Sequence, residues 1–254
     1  MTLSWDGKQK EGEAEMAKAF AINESLVAKY PKDSVLRQGL LETFLQSSQL
    51  YEDADPAHSL EILLKARNLA EESIKSDPAD IQARQNLAKT YSRLGVIALR
   101  LGRLEDTVAY LEKSSAAFSE LEKIDPKHRT YKHDEGRVLM FLGQAKHQQR
   151  KFPEALATYA KAAAIFENIT QADPQNNLPT RKLATVHTYI GDTHRDFAQL
   201  VTGKEHQMHL QAAKESYRRA LDIYLRLQAQ QALTEYDRKD MEEARTALLK
   251  SERE

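Results

Sequence analysis

Three consecutive residues, His194-Arg195-Asp196, match the tripeptide that carries the catalytic base in one class of phosphoryl-transfer enzymes. That chemistry also requires an Asn downstream, a Gly-rich loop over the phosphates and an Asp-Phe-Gly that binds the metal. Val201 stands where the Asn belongs, Ala198 replaces the usual Lys, and the sequence contains neither of the other two motifs. We therefore expect no kinase-type catalysis.

Histidine pairs are the next candidates for chemistry. His206 and His209 lie three residues apart, and His187 and His194 lie seven apart, so each pair fits one face of a helix. A metal site needs further ligands that converge on the same point, and neither these pairs nor His133-Asp134 has supporting carboxylates at a suitable spacing. The chain also has no Cys. We expect no metal site and no cofactor.

The sequence also lacks complete motifs for phosphate binding and for nucleophilic catalysis. Gly203-Lys204 lacks the upstream Gly of a phosphate-binding loop, and we interpret it as a helix C-cap followed by a solvated charge. The sequence has no Gly-x-Ser-x-Gly motif and no dinucleotide fingerprint. The chain is therefore predicted to be a non-enzyme.

Composition predicts an all-α chain with little affinity for phosphate backbones. Of 254 residues, 41% are hydrophobic and 30% are charged, with only nine Gly and seven Pro, which favours helices over turn-rich sheets. A net charge of -1 provides no basic excess, so we expect no nucleic-acid partner. No apolar run approaches the length of a membrane span, so we expect no membrane partner and a cytoplasmic location.

An internal repeat organises the whole sequence. Residues 91–126 reappear one period later as residues 139–174. Four prolines mark the period, Pro31, Pro78, Pro126 and Pro174, at separations of 47, 48 and 48 residues. A unit that cannot bury its own apolar face must stack on its neighbour, so the repeat predicts a solenoid of helix pairs.

Each Asp-Pro dipeptide is predicted to start a helix. Asp at the N-cap accepts a backbone N–H bond, and Pro at the first helical position lacks only a donor that has no helical partner. A second break inside each unit, such as Gly102-Arg103, divides it into two helices. The predicted segments are a lead-in without an element at 1–12, an N-terminal half-repeat or capping helix at 13–30, a degenerate repeat at 31–77, repeats at 78–125 and 126–173, a repeat at 174–231 with an insertion at 197–209, and a C-terminal capping helix at 232–254.

The repeats resemble tetratricopeptide repeats. The residues that carry the resemblance are Tyr91, Leu94, Gly95, Ala98, Gly102, Leu104, Thr107, Leu111 and Ser114 in the second unit, Leu139, Leu142, Gly143, Phe152, Ala155, Tyr159 and Ala162 in the third, with Arg150 at the turn Gly, and Ile190, Gly191, Ala213, Tyr217 and Ala220 in the fourth. Their period is similar to that of the extended repeats found C-terminal to some bacterial serine/threonine kinase domains. The resemblance implies a right-handed superhelix, close approach of paired helices at Gly95, Gly143 and Gly191, and a role in signalling.

In that family the first helix of each pair lines a concave groove. Three predicted first helices (79–101, 127–150 and 175–202) carry thirteen basic and five acidic residues, a net charge of +8, whereas the second helices carry a net charge of -4. The resemblance places these groove residues at Lys89, Ser92, Val96, Leu99, Arg100, Arg137, Met140, Gln144, His147, Gln148, Thr188 and Arg195, together with Thr185, Asp192 and Asp196. The same charges are also compatible with ion pairs between neighbouring rows of helices.

The functional expectation is a scaffold or regulatory adaptor. Its groove would bind a peptide or a partner domain, acidic or phosphorylated, because Arg side chains bind carboxylate and phosphate well. The alternative is a structural spacer or self-association module of a larger signalling protein, whose open repeat ends pair with another copy.

Overall fold

Ten helices account for nearly all of residues 3–252, the part of the chain that this computed structural model describes; among these residues the side chains of 3–11, Glu13 and Arg129 are not described. The helices are α1 (Leu3–Lys29), α2 (Ser34–Tyr51), α3 (Pro56–Ser76), α4 (Ile81–Arg100), α5 (Leu104–Ile124), α6 (Arg129–Gln148), α7 (Phe152–Ala172), α8 (Asn177–Ala198), α9 (Gly203–Ala229) and α10 (Glu235–Ser251). No strand occurs in this range, which confirms the all-α prediction.

Two units divide the chain, residues 1–126 with α1–α5 and residues 127–254 with α6–α10. Within each unit every helix packs on the next one along the chain, and α2 also contacts α4, as α6 contacts α8 and α8 contacts α10. Contacts between neighbours and between alternate helices are the pattern of stacked helix pairs. Each unit is therefore a helical repeat stack.

Glycines allow the two helices of a pair to approach closely, as predicted. A Cβ on Gly95 would lie 2.5 Å from the Leu111 side chain, and one on Gly143 would lie 2.6 Å from the Tyr159 ring. The same 2.6 Å separates a Cβ on Gly191 from the Tyr217 ring. These distances are far below van der Waals contact, so a larger residue at any of the three positions would push the helices apart.

Turn geometry explains how Arg150 replaces a glycine. Gly102 follows α4 with φ of 69°, a left-handed conformation that Gly adopts without strain. Arg150 follows α6 with φ of 60°, so it takes the same conformation one period later. The backbone of the turn is thus conserved between repeats although the side chain is not.

The predicted role of the Asp-Pro dipeptides is wrong at the repeat boundaries. Asp77 ends α3 as its C-cap and accepts a hydrogen bond from the Ala79 N–H, and α4 starts only after Asp80, which accepts one from the Ala83 N–H. Asp125 and Asp173 likewise follow the preceding helices. The dipeptide forms a short turn there, and only Asp55 starts a helix with Pro at its first position.

Two further boundaries differ from the sequence prediction. The lead-in predicted at 1–12 is wrong over residues 3–12, which form the start of α1, while residues 1 and 2 lie outside the described range. Gly203 is the first residue of α9 rather than a C-cap, and its φ is 63°. The insertion lengthens α9 to 27 residues, against 21 in α7.

None of the helices in residues 3–252 has the length and apolar character needed to cross a lipid bilayer.

Candidate functional site

The predicted groove residues lie on α4, α6 and α8, and most of them are accessible. Arg100, Arg137 and Gln148 are exposed, whereas Lys89, Ser92, Val96, Leu99, Gln144, His147, Thr188 and Arg195 are half-buried. Met140 is different, because it is only 3% exposed. Its side chain is therefore part of the core and does not offer a surface contact.

Basic residues of α4 bind groups in the preceding helix pair. The Arg93 guanidinium donates to the Leu45 carbonyl oxygen at 2.6 Å. Arg100 pairs with the carboxylate of Glu52 at 3.0 Å and also with that of Asp53. These cations connect two repeats of the first unit, so they are already engaged before any ligand binds.

In the second unit, His147 and Arg195 belong to a polar network between α6, α8 and α9. His147 hydrogen-bonds through its two ring nitrogens to Thr193 at 2.7 Å and to Asp196 at 3.0 Å. The Arg195 guanidinium lies 3.1 Å from Asp192 and 3.2 Å from Asp196, and it donates to the Tyr217 hydroxyl. Because His147 and Arg195 both contact Asp196, the two predicted groove residues act first as structural links.

Arg137 and Lys182 form a cationic pair on α6 and α8. Arg137 is exposed, and its guanidinium lies 3.8 Å from the Asp134 carboxylate. Burial lowers the pKa of Lys182, and the nearby Arg137 lowers it further, while Asp240 and Asp237 oppose the shift. Lys182 makes no hydrogen bond or close ion pair with the residues described. An anionic group placed here would relieve the repulsion between the two cations.

A cavity of about 500 Å³ lies in the second unit, bounded by α8 and α10 with Tyr224 of α9 at its wall. From α8 it is lined by Thr185, Thr188, Tyr189, Asp192 and Arg195. From α10 it is lined by Lys239, Asp240, Glu242, Glu243, Thr246, Ala247 and Lys250. The predicted groove residues of α8 thus meet α10 around a space large enough for an amino-acid side chain.

One wall of this cavity has an unsatisfied hydroxyl. Tyr224 is 0% exposed, and its phenolic oxygen has no hydrogen-bond partner of acceptable geometry among the described residues. The neighbouring Thr185 hydroxyl donates instead to the Arg181 carbonyl oxygen at 3.2 Å. Burial raises the pKa of Tyr224, the nearby Thr185 hydroxyl partly opposes this shift, and Asp240, Asp237 and Tyr189 add to it.

Asp240 is the carboxylate that the cavity leaves unpaired. It makes no hydrogen bond or ion pair within the described range, whereas Glu243 lies 3.9 Å from Lys239 and Glu242 lies 2.6 Å from Arg245. Burial raises the pKa of Asp240, and Glu243 and Asp237 raise it further. A half-buried carboxylate in this state is stabilised by any donor that reaches it.

The histidines pair across helices rather than along them. His194 Nδ1 lies 2.9 Å from His209 Nδ1, and Phe197 stacks on the His209 ring at 4.2 Å. His206 contacts the Ala198 carbonyl oxygen through Nδ1. In the described residues no three His, Asp or Glu side chains are grouped to hold a metal ion.

The sequence predicted contact residues on α8, but it did not predict that α10 forms the opposite wall of the cavity. The charged segment 232–254 was predicted only as a capping helix, and in the structure Ala244 is 0% exposed on its buried side. Asp240 precedes Ala244 by four residues and therefore shares its face of the helix. That spacing was the available signal that a carboxylate points toward α8.

No protein-family model matches this chain, and no curated protein matches it. Among solved structures, the chain is similar to a de novo designed helical repeat protein, with 10% sequence identity and a TM-score of 0.30 over 97% of this chain and 96% of that one. The assignment of a helical repeat fold therefore rests on the contacts between the helices themselves.

Proposed function

We propose that this chain is a protein-interaction scaffold of the tetratricopeptide type, which binds an extended peptide segment along the exposed side of the first helices of its second unit, α6 and α8. The observation that carries the proposal is the cavity between α8 and α10. It lies at the residues that the resemblance assigns to ligand contact, Thr188 and Arg195, and a peptide side chain fits into it. A helical repeat stack can present such a surface without any catalytic group, and we propose binding without catalysis.

Charge defines which part of the surface would bind an acidic partner. Seven cations of the first helices already have partners within their own unit: Arg84, Arg93, Arg100, Arg137, Lys146, Arg181 and Arg195. Among them, Arg137 has the weakest contact, since 3.8 Å is near the limit of an ion pair. Together with Lys182 it is the preferred position for a carboxylate or phosphate of the partner.

The test is a selection from a display library of random peptides against the immobilised full chain. Selected peptides are then titrated against wild type, Arg137→Glu on a first helix and Lys161→Glu on α7, a second helix of the same unit. Both residues are exposed, and both substitutions change the charge equally. We expect Arg137→Glu to weaken binding about tenfold, the loss of one charge-assisted contact, and Lys161→Glu to leave it within about twofold.

Circular dichroism must first show that all three proteins are equally helical. If no peptide is enriched above the bare support, or if Lys161→Glu weakens binding as much as Arg137→Glu, the proposed function is wrong. In that case, a mass by light scattering that rises with concentration would indicate a self-association module instead.

A further inference from the structure

The contact between His147 and Asp196 lies at a position where the first unit has a permanent ion pair. In the first unit Arg100, at the end of α4, binds Glu52 and Asp53 at the end of α2, 48 and 47 residues earlier. In the second unit His147, near the end of α6, contacts Asp196, near the end of α8, 49 residues later. One repeat is 48 residues long, so both contacts join the ends of successive first helices. In the second unit the side chain that faces the carboxylate is a histidine, a residue whose charge changes near neutral pH.

A single hydroxyl proton decides whether Nδ1 of His147 is a donor. Thr193 Oγ1 lies 2.7 Å from the Tyr189 carbonyl oxygen and 2.7 Å from His147 Nδ1. The carbonyl oxygen can only accept, and two oxygens this close repel each other unless a proton lies between them. The Thr193 hydroxyl therefore donates to the Tyr189 carbonyl oxygen and accepts from the ring, so Nδ1 carries a proton.

The second ring nitrogen of His147 also faces an acceptor. Nε2 lies 3.0 Å from one carboxylate oxygen of Asp196, and the other carboxylate oxygen accepts from the Arg195 guanidinium at 3.2 Å. A carboxylate held by a guanidinium is ionised and has no proton to donate, so Nε2 must carry one. On the other side of the ring, Thr193 is 0% exposed, so water does not replace it as the partner of Nδ1. Both ring nitrogens are therefore donors.

The charges of α8 and α9 around this contact balance only if His147 is a cation. Arg195 lies 3.1 Å from Asp192 and 3.2 Å from Asp196, and it donates to the Tyr217 hydroxyl of α9. The Tyr217 hydroxyl donates in turn to Asp192 at 2.7 Å. Two carboxylates thus face one guanidinium and the imidazole ring. With a neutral ring this half-buried network would carry an uncompensated negative charge, which is unfavourable.

The charges of α6 and α7 near the ring are already paired. Lys146, next to His147 on α6, lies 3.5 Å from the Glu154 carboxylate of α7. The Phe152 ring of α7 lies edge-on to the His147 ring, with 5.5 Å between the ring centroids. This side of the ring therefore offers no further carboxylate, and the contact with α8 determines its charge.

From this geometry we infer that His147 is an imidazolium clamp between α6 and α8, which donates to Thr193 and to Asp196 and weakens when a rise in pH removes one of its protons. It is a titratable counterpart of the Arg100 contact in the first unit. Loss of the proton ends the ion pair and leaves one of the two hydrogen bonds without a donor. The clamp joins the helices that carry the proposed peptide surface, but it does not rest on that proposal.

The clamp acts in the opposite sense to two other histidines of the second unit. Burial lowers the pKa of His187 to about 4, and burial together with His209 lowers that of His194 to about 4, so both are neutral in the folded state. Acid therefore opposes folding at those positions. His147 is charged in the folded state, so its contribution is complete in acid and is lost as the pH rises above neutrality.

Nitrogen-15 NMR of the full chain tests the charge of the ring, since protonated and unprotonated imidazole nitrogens resonate far apart. The signals of His147 are assigned from their loss in His147→Gln. At pH 7 we expect both nitrogens to be protonated in wild type. In Thr193→Val, which keeps the shape of the side chain and removes the hydroxyl, we expect Nδ1 to be unprotonated. Thr158→Val is the matched control, because Thr158 is also buried and donates to a carbonyl oxygen of its own helix, that of Glu154 on α7.

Hydrogen exchange, corrected for the intrinsic rate at pH 7 and pH 8.5, tests whether the proton holds the helices together. We expect protection at the C-terminal ends of α6 and α8 to fall about three- to fivefold over this interval in wild type, the effect of one half-exposed ion pair. In His147→Gln it should not fall, because this variant has no charge to lose. The ends of α2 and α4 should be unchanged in both proteins, since Arg100 stays charged.

An unprotonated ring nitrogen in wild type at pH 7 overturns the inference, and so does the same ring state in wild type and Thr193→Val. Protection that stays constant in wild type, or falls equally in His147→Gln, also overturns it. If circular dichroism shows that Thr193→Val is less helical than wild type, the wild-type ring signals and the exchange of His147→Gln decide. Two protonated nitrogens, together with a loss of protection that is absent from His147→Gln, support the clamp. Neither measurement uses a peptide, so failure of the clamp leaves the proposed function as it stands.

Discussion

Two sets of three consecutive helices, one in each unit, enclose cavities of very different volume. Each set is called a triplet below. In the first unit, α2, α3 and α4 surround a cavity of about 20 Å³ lined by residues such as Arg37, Ala83 and Asn86. In the second unit, α8, α9 and α10 surround about 500 Å³. Both triplets consist of two helices that contact across a third, so the same arrangement of helices encloses two different volumes.

The last helix of each triplet explains the difference. On the cavity side α4 presents Gln82, Ala83 and Asn86, of which Gln82 donates to Asn86 at 3.2 Å, and its N-cap Asp80 also lines the cavity. On its cavity side α10 presents charged residues such as Asp240 and Glu243. Packing charges into a closed interior costs several kcal/mol per ion, so the space between α8 and α10 stays open. A capping helix of this composition therefore also borders an open cavity.

The largest difference in the free energy of unfolding should come from replacing glycines on α8 and α2, the first helices of the two triplets. A Cβ at position 191 would lie 2.6 Å from the buried Tyr217 ring, whereas one at position 39 on α2 meets nothing within 4 Å. We expect Gly191→Ala to lower the free energy of unfolding by about 3 kcal/mol through overpacking. Gly39→Ala should raise it by about 0.5 to 1 kcal/mol, since Ala is the better helix former. Urea denaturation followed by circular dichroism measures both, and equal stability of the two variants would show that α8 and α9 are not closely packed.

A pair of buried tyrosines tests the hydrogen-bond assignment in the second triplet. The Tyr217 hydroxyl donates to Asp192 at 2.7 Å, whereas the Tyr224 hydroxyl makes no well-aligned hydrogen bond to any described residue, and both residues are 0% exposed. Tyr217→Phe should therefore destabilise the protein by about 2 kcal/mol, the range for a bond to a charged group. Tyr224→Phe should leave stability unchanged or slightly higher. Thermal denaturation of the two variants side by side measures the contrast, and the reverse order would mean that Tyr224 is the satisfied hydroxyl.

Acid should weaken the second unit more than the first, because seven of the eight His residues lie in residues 127–254. Burial lowers the pKa of His187 to about 4, and burial together with His209 lowers that of His194 to about 4. Both are therefore neutral in the folded state, while the unfolded chain gains protons below about pH 6.5. Stability is full above that pH and falls as pH drops toward 4, by about 1 to 2 kcal/mol after allowing for solvent screening.

Hydrogen exchange, corrected for the intrinsic rate at pH 7 and pH 5, locates this effect. Exchange should accelerate in α8 and α9 more than in α4 and α5, and a His187→Gln, His194→Gln double variant should show less acceleration. If α4 and α5 accelerate to the same extent in both proteins, these histidines do not determine the acid sensitivity.

The smallest effect is expected at the connection between repeats of the first unit. Arg100 pairs with Glu52 and Asp53, but 41% of its side chain and 89% of that of Asp53 are exposed. Exposed ion pairs of this kind contribute well under about 1 kcal/mol, so Arg100→Gln should change the unfolding midpoint in urea only slightly. A loss comparable to that of Tyr217→Phe would show that the first unit depends on this contact.

The sequence allowed the helices and their pairing to be predicted because local physics determines them. The period of the apolar residues and the glycines at 95, 143 and 191 were sufficient to place three pairs, α4 with α5, α6 with α7, and α8 with α9. The start of α1 was missed because a helix extends cooperatively from a formed core without needing apolar spacing of its own. The Asp-Pro turns were misassigned because Asp77 and Asp80 are both suitable caps, and only the three-dimensional path selects Asp80.

The candidate site was predicted in part, on one of its two walls. Thr188 and Arg195 came from the repeat pattern, but Asp240 and Tyr224 lie outside the positions that the pattern describes. Which cations remain available also depends on contacts between distant residues: Arg93 reaches the Leu45 carbonyl oxygen across 48 positions in the sequence. Net charge along a helix thus does not predict the charge that a ligand meets.

The proposed binding surface is the side of α8 that faces α10. Hydrogen exchange of the full chain with and without a peptide from the random library tests it most directly. We expect slower exchange in α8 and α10 on binding and unchanged exchange in α7, whose outer residues such as Lys161 are exposed. Protection confined to α7, or no protection in α8 and α10 at saturating peptide, would contradict the account.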